Sequence, residues 1–199
     1  LLEAMGDRQI TVGRVTYPLP PLFLVMATQN PIEQEGTYAL PEAQLDRFLM
    51  HVRIGYPHAD AERDILALAR QQARGDAVNV ACESNVKISA TDIFAAREAV
   101  LDLHMSEEVE RYLIELVLAT RDASGYGEDL QRQIAFGASP RGTIALERCA
   151  RAHAWLAGRD YVAPQDIHAI AHDVLRHRVL LTFEAEADGV SSDKVIDTL

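Results

Sequence analysis

The sequence has few cysteines and no long apolar run. Its two cysteines, Cys82 and Cys149, form no C-x-x-C pair, so we expect a reducing, cytoplasmic location rather than a disulfide framework. No stretch reaches the roughly eighteen consecutive apolar residues of a membrane-spanning helix. The first residues contain no basic segment followed by an apolar one. We therefore expect neither a membrane span nor a signal peptide.

Positive charge is also scarce. The chain has 19 Lys and Arg residues against 30 Asp and Glu residues, which gives a net charge of −11. Nucleic-acid binding requires a basic surface that neutralises phosphates, so the composition argues against a nucleic-acid partner. With 48% hydrophobic and 25% charged residues, the chain has the balance of a globular protein, which excludes a fully disordered chain.

The common signature motifs of enzymes are missing. The sequence contains no G-x-x-x-x-G-K-[ST] phosphate loop, no G-x-G-x-x-G, no H-E-x-x-H and no G-x-S-x-G. His168 and His172 have the i, i+4 spacing that can bind a metal, but no third ligand is evident and we expect no metal site. By itself, the sequence therefore shows no complete active site.

What is present begins with α/β patterns. Leu1–Met5 resembles the end of a helix already under way, so we expect the chain to be the C-terminal part of a longer protein. Gln9–Val12 and Val15–Tyr17 predict a hairpin around Gly13-Arg14. The apolar run Leu22–Ala27 predicts a strand buried on both faces, as in a parallel sheet covered by helices.

The second part of the chain has helical patterns. Pro41 predicts the start of a helix and residues 49–54 predict a strand, after which Gly55–Pro57 marks a boundary between parts 1–57 and 58–199. Beyond it, helix starts are predicted at Ser89, Ser106, Ser139-Pro140 and Pro164. For the last two of these helices the predicted inward residues are Ile144, Cys149, Ala152 and Leu156, and then Ile167, Ile170, Ala171, Val174 and Leu175. A short strand over 179–183 and a last helix over 191–199 complete the prediction of an all-α second part.

Two polar residues in the first part are candidates for phosphate chemistry. Asn30 follows the buried run, where its amide could donate to a phosphate oxygen or orient a water; the alternative is an Asx turn before Pro31. Arg47 has the planar fork that suits phosphate oxygens and could stabilise charge during phosphoryl transfer from a neighbouring subunit. Its alternative is an exposed helix arginine paired with Asp46 or Glu42.

A third candidate lies at a helix start in the second part. Arg141 follows Ser139-Pro140, so its positive charge opposes the helix dipole and could answer to an anion outside the helix. The alternative is an ordinary surface arginine. By contrast, the basic cluster Arg176–Arg178 is expected near a helix C-terminus, where the dipole favours positive charge.

Four segments together resemble one protein family. Residues 27–38, 40–48, 137–141 and 173–178 closely resemble the MoxR family of AAA+ ATPases, and the resemblance covers essentially the whole chain. It implies the remnant of an AAA+ α/β core, with a pre-sensor hairpin, a sensor-1 strand and an arginine-finger helix. Residues 58–199 would then be a helical lid.

The resemblance also implies roles for the candidates. Asn30 would be sensor 1, positioning the attacking water, and Arg47 would be the arginine finger that reaches the nucleotide of the next subunit. Arg141 would be sensor 2 on the lid. The cofactors would be ATP and Mg²⁺, and the protein would form a homo-oligomeric ring, expected to be a hexamer, in the cytoplasm. Chaperone-like maturation of client protein complexes would be its function, with von Willebrand factor A domain proteins as partners.

Two other interpretations stay open at this point. The chain could be a non-catalytic helical adaptor that keeps the ring interface but drives no hydrolysis. It could also belong to a DNA-handling AAA+ relative, although the net charge of −11 counts against this. The sequence upstream of Leu1 would distinguish the adaptor from the ATPase.

The resemblance leads to a prediction about this chain alone. The family's Walker A lysine and its Walker B Asp-Glu pair are not found in the sequence and are expected upstream of Leu1. Without them the chain should bind Mg²⁺-ATP poorly and hydrolyse none, since the phosphate cradle and the metal ligands would be missing. Titration calorimetry with Mg²⁺-ATP tests this, and a micromolar or tighter dissociation constant would contradict it.

Overall fold

The structure is a computed structural model that describes residues 2–29, 40–74 and 87–199. Within these residues the chain is mostly helical, with two small antiparallel sheets. No helix in the described ranges has both the length and the apolar character to cross a membrane.

The chain begins with a short helix and a hairpin, and both agree with the sequence patterns. Helix α1 spans Leu2–Gly6, and strands β1 (Gln9–Val12) and β2 (Val15–Pro18) pair antiparallel. Val12 pairs with Val15, which leaves a two-residue turn. Gly13 in that turn has a φ of +65°, a left-handed conformation that glycine adopts without a steric penalty.

Two predicted strands are not formed. Residues 22–27, predicted as a strand buried on both faces, lie outside any strand, and Leu24 and Met26 are 82% and 81% exposed. Residues 49–54 likewise form no strand, and Ile54 is 94% exposed. A strand requires a partner for its N–H and C=O groups, and the described residues pair neither segment with one. The apolar composition indicated burial but could not supply the neighbouring strands.

Helices dominate after one isolated turn, α2 (Glu42–Leu45). The predicted helix at Pro41 is therefore confirmed but short, and Pro41 itself is its N-cap. The helices that follow are α3 (Ala59–Ala73), α4 (Ala90–Leu101), α5 (Glu107–Arg121), α6 (Glu128–Gln133), α7 (Pro140–Leu156), α8 (Pro164–Leu175), α9 (Phe183–Ala187) and α10 (Ser192–Thr198). A 3-10 turn, Ser124–Tyr126, leads into α6.

Serine caps begin the predicted helices. The Ser89 hydroxyl accepts from the Asp92 backbone N–H at 3.2 Å, and the Asp92 carboxylate accepts from the Ser89 backbone N–H at 2.8 Å. Ser106 caps α5 and Ser139 caps α7 in the same way with their hydroxyls. These side chains satisfy backbone donors that have no partner inside a helix, which is why the sequence located the starts correctly.

Helices α7 and α8 form the centre of the core. The inward face predicted for α8 is confirmed, because all five of its residues are buried: Ile167, Ile170, Ala171, Val174 and Leu175. Helix α5 packs against this pair through Leu113, Leu116 and Val117. In contrast, α3 has no buried residue, and its Ile65 and Leu68 are both exposed.

A buried carboxylate anchors the start of α8. Asp166 is fully buried and accepts hydrogen bonds from Arg159, from the His153 Nδ1 at 2.7 Å and from the Ala163 backbone N–H at 2.9 Å. Burial alone would raise the pKa of Asp166, but these hydrogen bonds outweigh it and hold the pKa at about 2. The group therefore stays ionised and keeps its partners at neutral pH.

Two other expectations for the second part are wrong. The buried face of α7 consists of Gly142, Ala145, Leu146, Cys149, Ala150 and Ala154. Of the predicted inward residues only Cys149 belongs to it, while Ile144 and Leu156 are exposed. The part is also not all-α, because β3 (Ile134–Phe136) pairs with β4 (Leu180–Leu181). Strand β4 lies within the short strand predicted over 179–183, whereas β3 was not predicted.

The corrected α7 face can be tested with two substitutions. Leu146→Ala should lower the free energy of unfolding by about 2–5 kcal/mol, because it opens a cavity in the core. Ile144→Ala, two residues away and on the exposed side, is the matched control and should change it by about 0.5 kcal/mol or less. Urea unfolding followed by circular dichroism measures both values. A larger loss for Ile144→Ala than for Leu146→Ala would restore the original face.

Candidate functional site

Arg47 lies in the turn that directly follows α2. The Arg47 backbone N–H donates to the Gln44 carbonyl at 3.2 Å, and the Phe48 N–H donates to the Leu45 carbonyl at 3.0 Å. A Cβ placed on Gly6 would be 3.4 Å from the Arg47 Nη1, so the guanidinium lies against the end of α1. The residue is half-buried rather than fully exposed. We call residues 46–49 the finger turn.

The neighbouring carboxylate does not pair with Arg47. Asp46 instead accepts from the Ser139 hydroxyl at 2.8 and 3.0 Å and from the Arg178 Nε at 3.2 Å. The alternative in which Asp46 neutralises Arg47 on an exposed helix is therefore wrong. Asp46 points the other way and connects the finger turn to the second part of the chain.

Arg178 is the buried centre of this connection. Its side chain is only 2% exposed. Its guanidinium donates to the carbonyl oxygens of Asp46 at 3.1 Å and Leu49 at 3.3 Å, and also to those of Phe48 and Val174. Burial lowers the pKa of Arg178, while the adjacent carboxylate of Asp46 opposes that shift. The sequence had placed this residue in a basic cluster favoured by a helix dipole, and did not indicate its burial.

Arg141 lies at the start of α7 and is exposed, as predicted. The Ser139 hydroxyl accepts from its backbone N–H at 3.1 Å while donating to Asp46. One hydroxyl therefore caps the helix that carries Arg141 and bonds the turn that carries Arg47. The two candidate arginines, 94 positions apart in the sequence, thus come from elements that Ser139 joins directly.

The approach to this helix start is fixed by close packing. A Cβ at Gly137 would lie 2.2 Å from the Thr120 carbonyl oxygen, so only glycine fits there. The Thr120 hydroxyl accepts from the Ala138 backbone N–H at 2.9 Å, and the Arg121 Nε donates to the Ala138 carbonyl at 2.7 Å. The C-terminal end of α5 therefore holds residues 137–139 in place.

A cleft of about 230 Å³ opens between α2 and the start of α7. It is lined by Glu42, Ala43, Asp46, Phe136, Gly137, Ser139, His177, Arg178 and Leu180. The lining therefore includes Asp46 and Ser139, the two residues whose hydrogen bond connects the finger turn to α7.

His177 is a buried histidine in this lining. Its Nε2 lies 3.2 Å from the Phe48 carbonyl and donates to it, while its buried Nδ1 has no partner among the residues that the structure describes. Burial, helped by the positive charge of Arg178, lowers the pKa of His177 to about 4. The ring is therefore neutral at pH 7. The His51 ring packs edge-on against it at 6.0 Å, and burial lowers the His51 pKa as well.

A second arginine, Arg176, is partly buried and holds the chain after the finger turn. Arg176 donates to the His51 carbonyl at 2.7 Å, to Asp173 at 2.6 Å and to Asp193 at 2.9 Å. The His51 backbone N–H in turn donates to the Asp173 carbonyl at 2.7 Å. Asp46, Phe48, Leu49 and His51 are thus each bonded to the second part of the chain.

The remaining candidates are Asn30 and the two histidines of α8. Asn30 lies outside the described residues, so its environment stays a prediction. His168 bonds the Tyr112 hydroxyl at 2.6 Å and His172 bonds Asp197 at 2.9 Å, so the two histidines have separate partners. Across the described ranges, no three His, Cys, Asp or Glu side chains are grouped so that they could hold a metal ion.

Comparisons with known proteins connect both parts of the chain to one class. The profile described as "ATPase family associated with various cellular activities (AAA)" matches residues 1–50, and the profile of the AAA lid domain matches residues 128–199. A solved structure of a provisionally assigned ATPase from Cytophaga hutchinsonii superposes with a TM-score of 0.88 at 42% identity, over 99% of this chain and 58% of that one.

Curated relatives narrow the similarity. The chaperone MoxR1 of Mycobacterium tuberculosis is 41% identical over 99% of this chain and 50% of its own length. The protein MoxR of Paracoccus denitrificans is 35% identical over 92% of this chain and 55% of its length. The chloroplastic magnesium-chelatase subunit ChlI of Nicotiana tabacum is more distant, at 30% over 90% of this chain and 38% of its length. The chain spans about half the length of the two bacterial relatives.

The burial of His177 predicts a pH dependence of stability. Its pKa is about 4 in the fold and 6.5 in the unfolded chain, so unfolding takes up a proton between these values. The free energy of unfolding should fall as the pH decreases from 6.5 to 4, by at most about 1.4 kcal/mol per pH unit from this group. His177→Gln keeps a donor for Phe48 and should flatten the slope, and adding His51→Gln should flatten it further. Urea titrations at several pH values measure this, and an unchanged slope in both variants would contradict it.

Proposed function

This chain belongs to the MoxR family of AAA+ ATPases, and from that premise we propose that it forms the lid and the finger-turn region of a ring-shaped ATPase. The full-length protein couples ATP hydrolysis in the ring to chaperone-like maturation or remodelling of client protein complexes. Residues 1–57 complete its α/β nucleotide-binding domain, and residues 58–199 are its lid. Membership of the family rests on the MoxR relatives and on the two AAA profiles.

The observation that carries this proposal is the junction around Ser139. An ATPase ring requires positive groups at the phosphates from two directions, one from the subunit that binds the nucleotide and one from its neighbour. Ser139 joins an exposed arginine at the start of a lid helix to the turn that carries a second arginine. Planar guanidinium groups suit phosphate oxygens, and Asp46 is bonded elsewhere and leaves Arg47 free of that carboxylate.

We assign the roles accordingly. Arg141 contacts the phosphates of ATP bound to its own subunit, and Arg47 reaches the nucleotide of the adjacent subunit. Asn30 orients the attacking water at the γ-phosphate. The exposed guanidinium of Arg141, at a helix start beside a cleft, fits a polyphosphate chain. Mg²⁺ would supply charge neutralisation at the phosphates when bound, and this sequence contains no Walker motif that would hold it.

The assembly and the location complete the proposal. We propose a hexameric ring in the cytoplasm, with von Willebrand factor A domain proteins and a client complex as partners.

Cys149 is buried and unbridged, and burial raises the pKa of its thiol to about 11, so it acts as a small core residue rather than as a redox group. This is compatible with a reducing compartment.

The role of Arg47 can be tested in the full-length protein. Arg47→Ala should lower the steady-state rate of ATP hydrolysis by at least about 100-fold, because the transferring phosphoryl group loses its neutralising charge. Arg63→Ala is the matched control, since Arg63 lies on the exposed α3 and bonds only Asp60 among the described residues. Its turnover should equal that of the wild type.

Mixing subunits shows whether Arg47 acts across the interface. Arg47→Ala subunits are combined with subunits whose Walker A lysine is replaced. The Arg47→Ala subunits keep an intact nucleotide site, and the lysine variants keep Arg47. ATP hydrolysis should therefore partly return in mixed rings. Unchanged turnover in Arg47→Ala would refute the assignment of that residue. A wild type without turnover would favour the non-catalytic adaptor instead.

A further inference from the structure

The buried guanidinium of Arg178 has an unusual set of partners. Three of its acceptors are backbone carbonyls of the finger turn, those of Asp46, Phe48 and Leu49. The turn belongs to no strand, so these carbonyls have no ladder partners among the described residues. Arg178 therefore supplies the hydrogen bonds that secondary structure would otherwise supply.

Placing a cation there is costly unless every donor is used. Removing a guanidinium from water costs several kcal/mol before its partners compensate, and an apolar side chain of similar volume often packs as stably. Arg178 uses its N–H donors to bond the carbonyls of one short turn and the Asp46 carboxylate. The donor geometry is specific to arginine, because lysine has a single donor atom and cannot bond carbonyls on both sides of the turn.

The residue that this turn presents is Arg47. It stands between Asp46 and Phe48, whose carbonyls both accept from Arg178. The backbone on either side of the candidate finger is therefore fixed by the same guanidinium. Arg178 also bonds the Val174 carbonyl in α8, so the turn is attached to the centre of the lid core.

We propose that Arg178 is a positioning residue for Arg47, holding the finger turn in the shape that delivers Arg47 to the neighbouring subunit. This rests on the proposed function of Arg47. Because the turn is bonded to α8, the lid and the finger turn move as one body. A rotation of the lid in one subunit then displaces the arginine offered to the next.

The test uses the full-length protein and Arg178→Lys. The positive charge is kept but the bonds to the turn are lost, so turnover should fall about 10- to 100-fold, as expected when a reacting group is misplaced by an ångström. Binding of a fluorescent ATP analogue to the subunit's own site should change by less than about twofold, because only the residue offered to the neighbour is displaced.

Mixed rings separate positioning from a general structural role. If Arg178 acts through Arg47, Arg178→Lys subunits mixed with Walker A lysine variants should regain turnover, as Arg47→Ala subunits do. A lid that is merely damaged would impair its own site, and mixing would not restore it. The double variant Arg47→Ala/Arg178→Lys should be no slower than Arg47→Ala alone, since both remove the same contribution.

Two further variants complete the design. Arg159→Lys is the matched control, because Arg159 bonds the buried Asp166 inside the lid and is not bonded to the finger turn. Arg159→Lys should lower the free energy of unfolding, and mixing with Walker A lysine variants should not restore any turnover that it loses. If Arg178→Lys does not assemble, Asp46→Asn takes its place: it removes the ion pair with Arg178 but keeps an oxygen for Ser139, and it should give a smaller loss with the same rescue.

The outcomes distinguish the two proposals. If Arg47→Ala has full activity, the proposed function of Arg47 fails and the role of Arg178 fails with it. If Arg47→Ala is inactive and rescued by mixing, but Arg178→Lys is fully active or is inactive without rescue, only the role of Arg178 is refuted. Rescue of both variants by the same partner supports both.

Discussion

The ion pair between Arg178 and Asp46 connects two parts of the chain that differ in structure. The first part contains a hairpin, an unpaired apolar segment and one helical turn, whereas the second part contains a packed helical core. A guanidinium with this little exposure is retained only if its donors are all used, and here they are used on the finger turn. The shape of that turn therefore depends on a residue of the lid as well as on its own backbone hydrogen bonds.

The sequence predicted the fold best where the interactions are local. The hairpin, the serine caps and the inward face of α8 each depend on residues a few positions apart, and all are found in the structure. Predictions that depended on distant partners were wrong. Residues 22–27 have the composition of a buried strand but no partner strand in the described chain, and the face of α7 was misjudged because three elements pack around it.

The candidate site was predicted unevenly for the same reason. Arg47 and Arg141 were chosen as candidates, and given roles, because they stand in segments that resemble one family, and those roles stay predictions. Ser139 was predicted as a helix cap, which the structure confirms. The connection between them was missed, since Asp46 and Arg178 are 132 positions apart and neither spacing nor charge pattern relates them. Arg178 belongs to the basic cluster Arg176–Arg178, for which the helix dipole gave a sufficient explanation, so the sequence did not indicate its burial.

Coupling between neighbouring subunits needs an element with two arrangements that both sites influence. The lid connects the two candidate groups, because it carries Arg141 at the start of α7 and holds the Arg47 turn through Arg178 and Ser139. Under the proposed roles, nucleotide at a subunit's own site acts on Arg141, and Arg47 acts on the nucleotide of the next subunit. A change in lid orientation then changes the positions of both arginines, without any intermediate chain of residues. If the protein works as the proposed ring, one serine hydroxyl and one guanidinium form the shortest path between the two arginines.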